Sequence, residues 1–244
     1  MNRTAYNMTI RSYRGIMPKV TFFHLPQEKR RLIEGVAIQE FAENSLKSAS
    51  VNTIVNNSGI AKGSFYQYFE NMDDLYKHIL NIAKERKMEL ISTLPLPANN
   101  LDTFRYLQRL LQIDLAFELK YPLLAMVERR HNFENPITSS IDPETGQRLS
   151  GDGRFHAFLS QGVFHDDIAT WVDTDLAAYV LGVISQWLSA YLLERMEQDS
   201  GKPVEVNLDV SRDPHLQDLL QNLMDLLMAG MARDPQIRKD FFNK

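Results

Sequence analysis

The stretch from Ser50 to Phe69 most constrains the fold of this chain, because its spacing suits two short helices joined by a tight turn. Ser50 is a candidate N-cap in front of an apolar-periodic run that begins at Val51. Gly59 is suited to end the first helix, because glycine adopts a left-handed conformation without steric cost. The stretch therefore predicts a short helix followed by a sharp change of direction.

A second helix is predicted from Ala61, with Phe65 and Phe69 four residues apart on one side. Its other side carries groups able to bind phosphates or base edges: Lys62, Ser64, Tyr66, Gln67 and Tyr68. Two helices joined by a glycine-containing turn of this length form the helix-turn-helix geometry. The sequence therefore predicts a DNA-binding motif.

The residues around this motif resemble the N-terminal domain of TetR-family transcriptional regulators. The resemblance runs from Phe41 to Leu80 and rests on F-A-E-N-S-L-K-S-A-S, on the core K-G-S-F-Y-Q-Y-F, and on Y-Q-Y-F-E-N-M-D-D-L-Y. Two positions depart from the family pattern. Ser45 stands where a glycine usually ends the first helix, which predicts a strained or differently shaped C-cap. Met72 stands where lysine is common, which predicts the loss of one phosphate contact.

The resemblance implies an all-α fold, with a three-helix helix-turn-helix head and a C-terminal helical body for ligand binding and dimerisation. It implies a homodimer through the last two helices, about 173–198 and 214–232, that binds double-stranded operator DNA. Side chains expected to fix the register on phosphates are Ser50, Thr53, Lys62, Tyr66 and Tyr68. Groups expected at base edges are Ser64, Gln67 and the backbone of Gly63.

Charge is distributed unevenly along the chain. The formal net charge is −4, yet residues 1–70 hold nine Lys and Arg against five Asp and Glu. Residues 71–244 therefore hold 18 basic and 26 acidic residues. One basic and one acidic end are typical of a protein whose head faces nucleic acid, although chance alone also produces such differences.

Nothing in the sequence indicates an enzyme. Cysteine is absent, which excludes disulfides, thiolate chemistry and cysteine-based zinc sites. The glycines form no phosphate-binding loop, and the histidines lack the H-E-x-x-H spacing. Glu128 and His131 lie three residues apart, but such a cluster is more typical of a solvated helix end than of a metal site. We therefore predict no catalysis, no cofactor and no metal.

The N-terminal residues 1–20 are predicted to be a disordered basic tail that either adds DNA contacts or has no role. Its basic residues are Arg3, Arg11, Arg14 and Lys19. Candidate start positions are Met1, Met8 and Met17. No stretch reaches the ~18 consecutive apolar residues of a membrane span, and arginines interrupt any signal core, so we expect a cytoplasmic protein with no membrane partner.

The head is predicted to span residues 21–91, from a helix beginning near Pro26 to a fourth helix ending near Ile91. At the start of the first helix, a short basic run either touches the DNA backbone or is simply solvated: Lys29, Arg30 and Arg31. Residues 98–244 are predicted to form the body, with a long loop at 135–153 and a short helix stopped at Gly162. Two final helices are predicted to follow, the first capped at Asp173 and the second at Asp213, with Pro214 as its first residue.

The two final helices carry more apolar surface than one shared seam needs, which favours a four-helix interface with a second chain. A small hydrophobic effector is expected to bind between body helices, where aromatic side chains line such pockets. The candidates are Phe117, Tyr121, Met126, Trp187 and Tyr191. The simpler interpretation of each one is a core residue.

These observations predict a DNA-binding transcriptional regulator that acts as a ligand-responsive repressor on a palindromic operator. An alternative is a DNA-binding scaffold whose helical body responds to a protein partner and holds no small molecule. A cavity of a few hundred Å3 would favour the first hypothesis, and a fully packed interior the second. A helical enzyme would require a convergent polar cluster, which the sequence does not show.

Overall fold

The structure is a computed structural model that describes residues 18–93, 103–134, 140–141, 148–149, 153–204, 210 and 212–231. The regular elements among these residues are helices apart from one pair of two-residue strands, which confirms the predicted all-α fold. They form two compact units. The head comprises the described residues up to Arg86 together with Leu123–Arg130, and the body comprises Lys87–Pro122 with the described residues from His131 onward.

The head is built from short helices around an aromatic core. Its helices are α1 (Val20–Phe23), α2 (Gln27–Glu43), α3 (Val51–Ser58), α4 (Lys62–Tyr68) and the first part of α5 (Met72–Thr93). Six apolar side chains at helical spacing are fully buried in this core: Ile33, Ala37, Phe41, Ile54, Phe65 and Phe69. This packing leaves the helix-turn-helix pair, α3 and α4, on a continuous apolar support.

The head has different bounds from the predicted residues 21–91. Pro18 is buried and Lys19 hydrogen-bonds within the head, so the last three residues of the predicted tail, 18–20, belong to the head. Residues 1–17 lie outside the described residues. At the other end, the division falls inside α5 after Arg86. The segment Leu123–Arg130, expected in the body, packs with the head, where the Arg130 guanidinium donates to the Phe41 carbonyl at 3.2 Å.

The body is a helical bundle. Its helices are α6 (Thr103–Lys120), the ends of α7 (Pro122–Glu134), α8 (Gly153–Phe164), α9 (Thr174–Ser200) and α10 (Pro214–Met231). A cluster of buried side chains from these helices includes Leu107, Leu111, Leu115, Phe155, Leu159, Leu181, Leu216, Leu220 and Met224. The predicted caps of the last two helices are confirmed: Asp173 accepts from two amides of α9 at 3.0 Å, and Asp213 accepts from Leu216 at 2.8 Å.

Two predictions for the middle of the body are wrong in detail. The predicted loop at 135–153 contains an antiparallel pair, β1 (Ser140–Ile141) with β2 (Arg148–Leu149), and its other residues up to 152 lie outside the described residues. The short helix does not stop at Gly162 but continues to Phe164. The glycine at position 162 allows its helix to pack closely against Thr103, because a Cβ here would lie 2.7 Å from the Thr103 hydroxyl oxygen.

Membrane-crossing potential is limited across the part of the chain that the structure describes. No single helix there has the length and apolar character of a membrane span; the two halves of α9 meet that standard only together, across a bend of 42°.

Candidate DNA-binding site

The first motif helix, α3, is closed at both ends by its own sequence. The Ser50 hydroxyl accepts from the Thr53 amide at 3.4 Å, which confirms the predicted N-cap. Gly59 has φ 61°, and the following amide, that of Ile60, donates back to the Val55 carbonyl at 3.0 Å. This left-handed ending is the Schellman arrangement, so the predicted role of Gly59 is confirmed.

Helix α2 also holds both ends of α3. The carboxylate of Glu40, itself buried, accepts from the Ser50 amide at 2.8 Å. Eleven residues earlier, the Lys29 ammonium donates to the Ser58 carbonyl at 2.8 Å and to the Gly59 carbonyl at 3.3 Å. An acid at the N-terminus and a base at the C-terminus both complement the helix dipole. Lys29, one of the candidates for a DNA backbone contact, is thus used inside the head.

The second motif helix, α4, buries one face and exposes the other. Phe65 and Phe69 are fully buried, with ring centroids 5.5 Å apart. On the opposite face Tyr66 is 47% exposed, and Lys62, Gly63 and Gln67 are exposed as well. The sequence-predicted contact residues of α4 are therefore accessible on one short helix, except that Ser64 and Tyr68 are partly covered.

The C-terminal end of α4 is joined to a segment that the sequence analysis missed. The Lys19 amide donates to the Tyr68 carbonyl at 2.8 Å, and the Lys19 ammonium donates to the Tyr66 carbonyl at 3.0 Å. The Thr21 hydroxyl donates to the Gln67 carbonyl. The signal in the sequence was Phe22, an apolar residue of the predicted head only two positions after the predicted tail ends.

The structure shows the surroundings of both departures from the family pattern. Helix α2 ends at Asn44 in an extended conformation with φ −122°, so no left-handed residue is needed at Ser45. Ser45 instead opens a turn in which its carbonyl accepts from the Ala49 amide at 2.8 Å. The C-cap is shaped differently, as one of the two expectations had it, and is not strained. Met72 begins α5 and is partly buried.

The residues predicted to bind a ligand lie in different surroundings. Phe117 is buried, with its ring centroid 5.8 Å from that of Tyr121. The Lys87 ammonium lies 4.9 Å from the Phe117 centroid and 3.2 Å from an Asp114 carboxylate oxygen. Met126 belongs to the head and is 40% exposed.

The other two ligand candidates, Trp187 and Tyr191, are 51% and 58% exposed on α9. The Trp187 ring makes an edge contact with that of Phe133 at 6.5 Å. The structure therefore brings the buried Phe117 together with the partly buried Tyr121, whereas Trp187 and Tyr191 lie on a surface of the body. Within the described ranges, no three His, Asp or Glu side chains are grouped so as to hold a metal ion.

Comparison with known proteins agrees with this geometry. Residues 35–79 match the model of the bacterial regulatory proteins of the tetR family. The chain is 22% identical over 172 residues to the HTH-type transcriptional regulator AcrR of Shigella flexneri, covering 67% of this chain and 80% of that protein. A likeness at this identity is modest, and solved structures extend it over most of the chain.

The crystal structure of a TetR family transcriptional regulator from Chloroflexus aurantiacus J-10-FL is 32% identical, with a TM-score of 0.70, and the alignment covers 89% of this chain and 100% of that one. A TetR-like regulator from Rhodococcus sp. RHA1 shares the fold at 20% identity and a TM-score of 0.57, over 85% of this chain and 100% of that one. The chain belongs to the TetR family and is a DNA-binding transcriptional regulator.

Proposed function

We propose that this regulator is a ligand-responsive repressor that binds a palindromic operator as a homodimer. The observation that carries the proposal is the exposed face of α4, held on a buried aromatic support by Phe65 and Phe69. A short helix presented in this way is suited to enter a major groove. Two such helices in a twofold dimer would read two half-sites separated by about one helical turn or a small multiple.

Within each half-site, we assign two kinds of contact to the motif. Side chains proposed to fix the register on phosphates are Ser50, Thr53, Lys62, Tyr66 and Tyr68. Groups proposed to read base edges are Ser64, Gln67 and the backbone of Gly63, whose exposed position lacks any side chain that would keep DNA away. Tyr66 is the most informative of these, because it is a large apolar side chain left 47% exposed on a protein surface.

The homodimer is supported by α9, which is apolar on two sides. One side is buried in the body through residues that include Leu181, Leu192 and Met196. The other side is an exposed row, here called the α9 stripe: Leu176, Tyr179, Val180, Val183, Ile184, Trp187 and Tyr191. Contiguous exposed apolar rows mark interaction surfaces. Leu226 of α10 is also 70% exposed, which suits an interface formed by the last two helices.

This interpretation changes the proposed roles of Trp187 and Tyr191. Both lie in the α9 stripe, so we propose that they contact the second subunit. For the effector we retain Phe117 and Tyr121, beside the Lys87–Asp114 pair. Lys87 lies on α5, the same helix that begins in the head at Met72. Suppose that the protein has two conformations that differ in the positions of Lys87 and α5. A ligand with unequal affinity for the two would shift their populations, which is the requirement for control of DNA binding.

The test of the proposal is operator binding by two variants of α4. An operator is first selected from a random-sequence duplex library with the unsubstituted protein. Tyr66→Ala should then weaken binding to that operator by about tenfold or more at fixed moderate salt, because a central contact is removed. Gln67→Ala should reduce the preference for the operator over random DNA more than it reduces overall affinity.

The matched control is Lys84→Ala, which removes an exposed lysine of α5 in the same unit and should leave the gel-shift affinity unchanged. Unchanged affinity in Tyr66→Ala would reject this reading face. For the effector, a thermal-shift screen of hydrophobic compounds should give stabilised complexes that are lost in Phe117→Ala. No stabilisation by any compound would favour the alternative, in which the body responds to a protein partner.

A further inference from the structure

We propose that residues 18–23, here called the N-terminal cap, close the C-terminal end of the reading helix α4, and that Lys19 and Thr21 are positioning residues for operator recognition. The inference rests on the proposed role of α4 as the helix that reads DNA. Its structural half, the stabilisation of α4 by the cap, is measurable without any DNA.

The last carbonyls of α4 show how complete this cap is. A helix leaves its last four carbonyl groups without partners inside the helix proper. In α4 the first of the four, that of Phe65, accepts from the Phe69 amide at 2.9 Å. The next three, those of Tyr66, Gln67 and Tyr68, accept from the Lys19 ammonium, the Thr21 hydroxyl and the Lys19 amide. All four carbonyls therefore have a donor, and two residues supply three of the donors.

Helix α4 has particular need of such support. It has seven residues, whereas isolated helices shorter than about 12–15 residues are marginal in water. Its N-cap residue is Ala61, whose side chain makes no capping hydrogen bond. By contrast, α3 is closed by Ser50 and Gly59 and by two charged side chains of α2. The N-terminal cap closes the C-terminal end of this weakly capped helix.

An aromatic anchor holds the cap in place independently of its hydrogen bonds. Phe22 is fully buried, and its ring lies 4.9 Å from that of Phe69, 6.1 Å from that of Tyr68 and 5.5 Å from that of His78. His78 in turn pairs with Glu34 of α2 at 2.9 Å. Because Phe22 fixes the segment, removing one donor of the cap leaves the other donors presented to α4.

The cap acts on the residues that matter for reading. The three carbonyls it binds belong to Tyr66, Gln67 and Tyr68, all of them proposed DNA contacts. Base recognition needs closely defined geometry, whereas phosphate contacts carry no sequence information. A loosened α4 should therefore lose discrimination before it loses general affinity for DNA. The family match begins at Gly35, so the cap lies outside the matched residues.

The decisive experiment uses the full chain with Thr21→Val, which keeps the shape of the side chain and removes the hydroxyl. Hydrogen exchange of the amides at 65–69 should become faster by about threefold to tenfold, as expected for one lost hydrogen bond. Amides of α3 should be unchanged and serve as the internal control. Thr21→Ser restores the hydroxyl and should return the exchange of α4 to its original rate.

DNA binding of the same variants tests the positioning role. Affinity for the selected operator should fall about threefold to tenfold in Thr21→Val, affinity for random duplex should stay constant, and Thr21→Ser should recover both. If selection yields no preferred duplex, the proposed operator recognition fails while the exchange measurement still decides the cap. If the exchange of α4 is unchanged in Thr21→Val, the cap is rejected whatever the DNA result.

Lys19→Met separates capping from direct contact with DNA. As a cap, Lys19 affects operator binding through α4, so the salt dependence of binding should not change. As a phosphate ligand, its loss would weaken binding to operator and random duplex alike and reduce the slope of log affinity against log salt by about 0.9. That second result would overturn the assignment of Lys19 as a positioning residue.

Discussion

The head and the body differ in how completely each covers its own helices. In the head, hydrogen bonds close α3 at both ends and α4 at its C-terminal end, and the apolar faces of both helices meet fully buried side chains such as Phe41, Phe65 and Phe69. In the body, α9 buries one side and leaves the α9 stripe in solvent. The motif helices are supported within a single chain, whereas the body has an apolar surface of the kind that a partner covers.

This difference suggests a division of labour. A reading motif whose helices are supported within the same unit keeps its shape at any protein concentration. A unit that needs a second copy gains stability by mass action and so depends on concentration. We infer that the geometry of DNA reading is fixed by the chain itself, whereas the spacing of two heads is set by the body of the dimer.

The largest effect is expected from a charge in the α9 stripe, which tests whether a second subunit covers this surface. Val183 is 43% exposed near the middle of the stripe. Val183→Glu should weaken dimerisation by about a hundredfold or more, because the dimer would bury an unpaired carboxylate. Light scattering coupled to size-exclusion chromatography would measure the loss of the dimer. Operator affinity should fall with it, since two linked heads bind more tightly than one.

The control for this variant is Gln198→Glu, which adds the same charge at an exposed position of α9 outside the stripe. It should leave the oligomeric state unchanged. A Val183→Glu protein that remained dimeric at low micromolar concentration would place the interface elsewhere.

A smaller effect is expected from adding one methyl group at glycines of each unit. Gly162→Ala should destabilise the body by about 1–3 kcal/mol, because the new Cβ meets the stiff Thr103 side chain, whose hydroxyl donates to Asp167 at 2.7 Å. Gly35→Ala, in the middle of α2 with no atom within 4 Å, should stabilise the head by about 0.5–1 kcal/mol. Thermal unfolding should therefore shift in opposite directions. Equal shifts of the melting temperature in the two variants would show that the Thr103 side chain moves aside without a loss of stability.

The smallest expected effect concerns pH and the join between α9 and α10. A hydrogen bond from Arg195, reinforced by the charges of Arg195 and His215, lowers the pKa of Asp199 below its ordinary value of 3.8. The carboxylate of the folded protein therefore ionises more readily than that of the unfolded chain. Its contribution to stability is present above about pH 4 and disappears as the pH falls through the lowered pKa.

We expect Asp199→Asn to lower the melting temperature slightly near neutral pH and to have no effect at about pH 3. The group is exposed, so screening by salt should reduce the difference further. A constant difference between the variants across this pH range would mean that Asp199 acts through the shape of its side chain and not through its charge.

The features predicted correctly from sequence are those controlled over short distances along the chain. Ser50 caps a helix that begins at the next residue, and Gly59 ends it through its own backbone conformation. Asp213 and Pro214 likewise mark the start of α10 locally. Such signals depend on three or four neighbouring residues, so a single sequence contains them in full.

The features that were missed depend on residues far apart. Lys19 and Tyr66 are 47 positions apart, and the bond between them exists only because the fold brings α1 to the end of α4. Gly162 was taken as a helix stop because glycine often is one, whereas its neighbour Thr103 on another helix explains it. Trp187 and Tyr191 were predicted to line a pocket, and both are exposed on α9. Periodicity shows that a residue is apolar without showing which side of a helix is covered.

The head also includes a segment from a distant position in the chain, Leu123–Arg130, in which Leu124, Ala125 and Val127 are buried. A transplant of the reading unit onto another regulator, cut after α5, would leave this piece behind. The recipient would then have to provide its own residues in place of the Arg130 bond to the Phe41 carbonyl. A functional chimera of this protein therefore requires the exchange of two segments, the chain up to Arg86 and Leu123–Arg130. A single crossover point would produce a head that lacks the second segment.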